Sequence, residues 1–494
     1  MTSNEKVVLL VSRRSLATAA LAPLIVPRHV LGRGYQAPSD TLAIAAVGIG
    51  GMGRNYIAGC KGERIVALCD MDHTRDTTIQ VFNTYPAATR YRDYRQMFDK
   101  ESKNFDALII AVPDHQHTIL LMTAIHMDKH IYCAKPITHS VGEGRKVMAA
   151  LRQKPKLITK GSVQDSATTY SRATAELLAS GVIGPVREVH ITCSHPIYPC
   201  SQLRPTAPET PPEGMDWDLW IGPAPYRPFS AAYHPFNWRP WWDFGSGTVA
   251  DMLCHTMHTY FNELQLGAPK TIYACGSTVL LPGPLPGTER TGGTRRPSAT
   301  PECQGPANMV TWEYPARGSM PPLQVHWYDG GMKPHRPAEL DHRVPMLRDS
   351  VLFVGEKGKL LTDFYGGNPL TPFPGRTVNA VSAALPPSVS IHALPGGVLL
   401  PQEDFRDAKQ PAATLRRVEK ADHYTEWTKA CKTGQRTVLP VEFACQMTEV
   451  ALLGTIALRT GKLLEWDSAA AKIVNDDEAN ALVDIPYRKG WSAY

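Results

Sequence analysis

The chain has 494 residues, a formal net charge of +6 and a pI near 8.7, with 43% hydrophobic and 20% charged residues, the balance of an ordinary globular protein of two or three domains. Its basic residues are scattered and form no Lys/Arg run interleaved with aromatics, so nucleic acid is excluded as a partner. Ten cysteines without a CxxC pair exclude a zinc ribbon or a disulfide framework and read as free, mostly buried thiols.

Residues 1–38 stand apart from the fold. Arg13 and Arg14 precede the small-residue apolar stretch LATAALAPLIV, too short to span a bilayer, and then PRHVLGRGYQAPSD. The pattern predicts a twin-arginine export signal and a periplasmic destination, with no integral membrane span.

From residue 39 to 160 apolar runs alternate with helical periodicity. Leu42 to Val47 reads as a strand, and Gly48-Ile49-Gly50-Gly51-Met52-Gly53 as a glycine turn leading into a helix; a second strand, Ile65 to Cys69, ends on Asp70. Gly48 permits the tight turn, Gly50 a close approach of backbone to a pyrophosphate, and Gly53 close packing of helix on strand. Asp70 lies about 20 residues on, where a carboxylate accepts both ribose hydroxyls and repels a 2′-phosphate, favouring NAD with NADP possible. Further strands are predicted at Phe105–Val112 and His130–Cys133. Pro113, Asp114 and His117 follow the first of them, and Lys135-Pro136 follows the second. In a doubly wound parallel sheet these strand ends converge on one crevice.

Residues 161–494 carry β-type runs at Arg187–Ser194, Thr271–Val279, Met309–Tyr314, Leu323–Trp327 and Ser350–Val354, joined by long connections, which predicts a large, mainly antiparallel sheet. Prolines cluster in 196–228, 282–322 and 369–401, read as ordered loops because aromatics are interspersed. WRPWWDFGSG crowds aromatics at a glycine turn before a helix carrying Asp251, His255 and His258, and helical runs surround Trp427 and span Met447–Leu458.

The motifs GIGGMG, AVPDHQH, KHIYCAKP, SGVIGPVREV and GSGTVADMLCH, in this order, resemble the Gfo/Idh/MocA oxidoreductases over about residues 40–490. The exported, twin-arginine branch also shares WDLWIGPAP, YHPFNWRPWWDFG, WYDGG and ALRTGKLLEWD. The resemblance implies a Rossmann domain, a C-terminal α/β domain, a catalytic set at Lys135, Asp251 and His255, and a dimer or tetramer built on the open face of the second sheet. Ala134 replaces the acid before the lysine, Leu253 a glycine and His258 an acid, departures that bear on substrate identity.

Hydride transfer between a secondary alcohol and nicotinamide needs a proton acceptor and a positive group for the oxyanion. His255 can take the proton, Asp251 one turn earlier can orient the imidazole, and Lys135 can bond the oxygen. Asp251, His255 and His258 share a helix face and could instead hold a divalent ion, but no further ligand is evident and no metal is assigned. Tyr170, Trp238, Arg239, Trp241 and His258 are candidate sugar contacts, flat rings suiting C–H faces. The sequence therefore predicts an NAD(P)-dependent dehydrogenase of a sugar, glycoside or cyclitol. Two alternatives remain: a glycosidase using bound NAD⁺ by transient ring oxidation and elimination, and a nucleotide- or sugar-binding protein without turnover.

Overall fold

A computed structural model of the protein describes residues 40–282, 295–298, 302–370 and 391–492. The expected export signal lies outside the described residues, as do parts of the second and third proline clusters.

Short apolar runs between helices build the first sheet. Its strands are β1 (Ala43–Val47), β2 (Arg64–Cys69), β3 (Thr89–Tyr91), β4 (Ala107–Ile110), β5 (His130–Cys133) and β6 (Thr159–Gly161). They are all parallel, in the order β3-β2-β1-β4-β5-β6, and β1 and β4 are buried along their whole length. This is the doubly wound arrangement, and reversal of strand order at β1/β4 opens the crevice at their C-terminal ends.

The second sheet is mixed and mostly antiparallel. It takes β7 (Val186–Thr192), β8 (Thr271–Gly276), β11 (Asn308–Tyr314), β12 (Leu323–Tyr328), β13 (Ser350–Gly355), β14 (Lys359–Asp363), β15 (Ala393–Leu394), β16 (Gly397–Leu400), β17 (Leu464–Asp467) and β18 (Lys472–Ile473), while β9 (Val279–Pro282) and β10 (Arg295–Ser298) pair separately. The order is β15-β16-β14-β13-β7-β12-β11-β8-β17-β18, with β7 and β12 parallel. Alternation sets its two faces: Val189, Ile191, Val325, Trp327, Val310 and Trp312 point into the core, whereas Tyr273 and Met309 are exposed on the other side.

Helix Val441–Thr460 joins the two halves. It is apolar and long enough to cross a membrane by length and composition, yet 78% of that window is buried. It packs against helix Val141–Arg152 of the first half, against β8 and β11, and against helix Gly247–Met252, which carries Asp251. The fit is close: Trp312 Nε1 donates to the Val450 carbonyl, and a Cβ at Gly454 would stand 2.6 Å from the Trp312 ring. Thr455 Oγ1 donates to the Ser246 carbonyl at the start of the Asp251 helix, so the central helix positions the site directly. All ten cysteines are free, and seven are buried.

Candidate active site

The glycine turn has the geometry its residues imply. Gly48 holds φ +81°, and a Cβ there would stand 2.5 Å from the Ala111 carbonyl oxygen. A Cβ at Gly53 would meet the Gly48 oxygen at 2.0 Å, so the close approach it permits is helix onto turn. At the end of β2, Asp70 Oδ2 accepts from Ile49 N and Gly50 N, both at 2.9 Å, and Asp70 Oδ1 accepts from Asp72 N. Burial raises the Asp70 carboxyl above its ordinary value, and the three backbone N–H groups oppose that shift.

A cavity of about 330 Å³ opens from this turn, large enough for part of a dinucleotide and a small substrate. Gly48, Gly50, Gly51, Met52 and Asp70 line it at the glycine turn, and Pro113, Asp114, Lys135 and Asp251 line it beyond the turn. Ile49, Gly53 and Pro136 stand behind this surface and shape the turns. Space is open beside Gly51, with no atom within 4 Å of a Cβ placed there, which fits a bulky group against the turn. These residues, a turn with N–H groups and a carboxylate beyond it, fit NAD.

On the far wall Lys135 Nζ donates to the Asp251 carboxylate and, at 2.8 Å, to the Asp251 carbonyl. The two side chains keep only 20% and 16% of their exposure, so the pair is little screened. Burial alone would raise the Asp251 carboxyl, but the charges of Lys135 and Arg239 outweigh it and hold the group at about 2. Asp114 shows the opposite balance. Burial and repulsion from Asp251 push it up to about 7, against the Ser246 N–H that its Oδ2 accepts at 3.0 Å.

Asp251 does not orient His255, a correction to the expectation that one helical turn brings the two together. Leu253, between Gly247–Met252 and Cys254–Met257, keeps helical dihedrals, yet His255 Nδ1 bonds Asp165 Oδ2 at 2.8 Å instead. His255 is 6% exposed, faces Tyr365 edge-on, and is not part of the cavity lining. With Asp251 taken by Lys135 and His255 by Asp165, the three residues of that helix face do not converge on a metal position. His258 lies outside the cavity, its imidazole pushed down to about 3 by burial.

His117 is likewise displaced from its expected role. Its ring is fully buried, with Nδ1 2.7 Å from the Pro136 carbonyl and Nε2 2.9 Å from that of Val112, so it ties β4 to the Lys135 turn rather than meeting the nucleotide. Burial lowers it to about 4. Of the proposed sugar contacts, Trp238 and Arg239 line the cavity, the guanidinium lying 4.2 Å and 4.5 Å from the Phe236 and Trp238 ring centroids. Trp241 is core: it is fully buried, and its Nε1 donates to the Ala232 carbonyl. Tyr170 packs on Gly367, away from the cavity.

Two residues of the site were not singled out by their sequence positions. Asp165 sits in the turn after β6, ninety positions from His255. His234 Nε2 bonds Asp72 Oδ2 at 3.1 Å and fastens the loop that bears Phe236 and Trp238 over the nucleotide end. Arg75 lines that end too, its Cδ 3.4 Å from a Cβ built at Gly50.

Residues 42–162 match the family described as Oxidoreductase family, NAD-binding Rossmann fold (GFO_IDH_MocA), and residues 139–266 and 403–493 match its C-terminal alpha/beta domain. An inositol 2-dehydrogenase of Rubrobacter xylanophilus is 27% identical over 150 residues, covering 30% of this chain and 42% of that protein. One from Acidothermus cellulolyticus is 28% identical over 179 residues, covering 34% and 50%. The matched region is thus about half the length of these relatives. Among solved structures, the WlbA dehydrogenase of Bordetella pertussis, in complex with NADH and UDP-GlcNAcA, aligns with a TM-score of 0.52 at 13% identity over 86% of this chain and 99% of that one, a likeness of fold.

Proposed function

Since the chain belongs to the Gfo/Idh/MocA oxidoreductases, with their NAD-binding Rossmann and C-terminal α/β domains, we propose that it transfers a hydride between NAD and a hydroxyl of a sugar, glycoside or cyclitol. The observation that carries this reading is the Lys135–Asp251 pair on the wall of the cavity that opens from the glycine turn. The curated relatives named inositol 2-dehydrogenase support the polyol class, as does the solved relative that holds a sugar nucleotide beside NADH.

Each part of the chain has a task in this reaction. Bound at the glycine turn and Asp70, NAD supplies the hydride acceptor for alcohol oxidation. Lys135 Nζ donates a hydrogen bond to the substrate oxygen and favours its alkoxide, and Asp251 keeps the ammonium aimed from a partly dry wall. His255, fixed by Asp165 through Nδ1 and set outside the cavity lining, is the proposed final acceptor of the hydroxyl proton. Trp238 and the Arg239 guanidinium supply an apolar face and a polar edge for a ring. The Asp72–His234 bond holds the covering loop that limits water.

The test is to release and identify the nucleotide carried by the purified protein and then screen polyols, sugars and aryl glycosides. Both reduced-nicotinamide absorbance and aglycone release are followed. Oxidation with accumulating NADH supports the dehydrogenase, and aglycone release without it overturns this reading in favour of the redox glycosidase.

A further inference from the structure

The outer face of the second sheet carries a side-chain cluster with no part in the reaction above. On this face Glu188 and His190 stand two apart on β7, and His326 on β12 is the parallel-register partner of His190. One ligand atom from each of the three lies within 4.8 Å of the other two. None of the three lines the nucleotide cavity, and Val189, Ile191, Val325 and Trp327 bury the opposite face beneath them.

We propose that Glu188, His190 and His326 form a binding site for a late first-row divalent cation of the zinc type. Two imidazoles and one carboxylate are a donor set such ions take, with a further position open to water. The supporting shell is present. Thr311 Oγ1 lies 3.0 Å from His326 Nδ1 and Tyr328 Oη 3.3 Å from His190 Nδ1, so each ring can donate its Nδ1–H to a hydroxyl and turn Nε2 to the cation. Glu188 Oε2 already sits 2.9 Å from His190 Nε2, where a cation would replace the shared proton and take both atoms as ligands. The rings are stacked with centroids 4.8 Å apart at 14°, and each stands on a strand whose other side is packed core, so the donors are preorganised.

The experiment uses the full-length protein, equilibrated with Zn²⁺, dialysed against metal-free buffer and assayed for zinc per chain, with affinity from competition against a chromophoric chelator. The expected result is one zinc equivalent per chain that is lost in His326→Gln and His190→Gln. Thr311→Val and Tyr328→Phe should weaken binding by ~10–100-fold, the usual effect of removing an outer hydrogen bond to a ligating imidazole. Glu188→Gln, at a half-exposed position that leaves packing intact, keeps the test valid if a histidine variant fails to fold. Zinc content in the folded Glu188→Gln and His326→Gln proteins equal to that of the unaltered chain, or no retained zinc in the unaltered chain, would overturn the proposal.

Discussion

Replacing Lys135 by Met isolates the charge that the cavity wall is built around. In the unaltered protein Asp251 sits at about 2 against an ordinary carboxylate value of 3.8, although burial opposes its ionisation. A difference of about two pKa units corresponds to ~2–3 kcal/mol, and that stability is present above pH ~4 and lost as the pH falls through the folded value. Without Lys135, burial is opposed chiefly by Arg239, so the Asp251 carboxyl rises above 3.8 and its ionisation then destabilises the fold as pH increases. The loss in Lys135→Met should therefore be at least ~2 kcal/mol at pH 8 and shrink towards pH 4. Denaturant unfolding of both proteins at several pH values measures it, with Lys135→Met/Asp251→Asn as the control that should recover most of the loss. A stability difference that is flat with pH, or a double variant no better than the single one, would refute this account of the pair.

Other consequences follow from the same geometry. Asp165→Asn should cut kcat by ~10² or more while leaving nucleotide affinity and substrate KM nearly unchanged, because Asp165 bonds His255 and does not line the cavity; steady-state kinetics with a bound-nucleotide titration checks this. Asp70→Ala should raise the NADP:NAD ratio of kcat/KM by roughly 10-fold, about 1.4 kcal/mol of removed like-charge repulsion with Arg75 already at that end of the cavity; an unchanged ratio would contradict the placement of the ribose. Asp114, held at about 7 against 3.8 when unfolded, makes the nucleotide-free protein lose stability as pH rises from about 4 to about 7. Asp114→Asn should thus gain thermal stability relative to the unaltered protein across that interval, and a constant difference in Tm would count against the buried carboxyl.

Much of the first sheet was legible because its signals are local. The glycine turn, the two short apolar strands and Asp70 lie within thirty residues, and each obeys a steric rule that the contacts of Gly48 and Gly53 display. The strands of the second sheet at 271–276, 308–314, 323–328 and 350–355 were also legible, from alternation. β14 and β16 were not, since KLLTD and GVLL are short, and GVLL is buried throughout and shows no alternation. In the site, Lys135 and Asp251 could be placed by motif, but their pairing could not. Helical spacing puts Asp251 one turn from His255, but each side chain takes a partner from another element, Lys135 after β5 for Asp251 and Asp165 after β6 for His255. Asp165 carries no local signal, being one carboxylate in a short turn that tertiary packing brings to the histidine. His117 and Trp241 misled for the same reason: a ring beside a functional strand end or loop is as readily used to satisfy a buried carbonyl as to meet a ligand.

The central claim, that Lys135 acts on the substrate oxygen of an NAD-dependent oxidation, is tested most directly by the rate of NADH formation in Lys135→Ala with a substrate that the unaltered protein oxidises. The account predicts a kcat lowered by ~10² or more with nucleotide affinity nearly unchanged, since the glycine turn and Asp70 hold the dinucleotide from the other end of the cavity. Turnover in Lys135→Ala within a few-fold of the unaltered protein would contradict it.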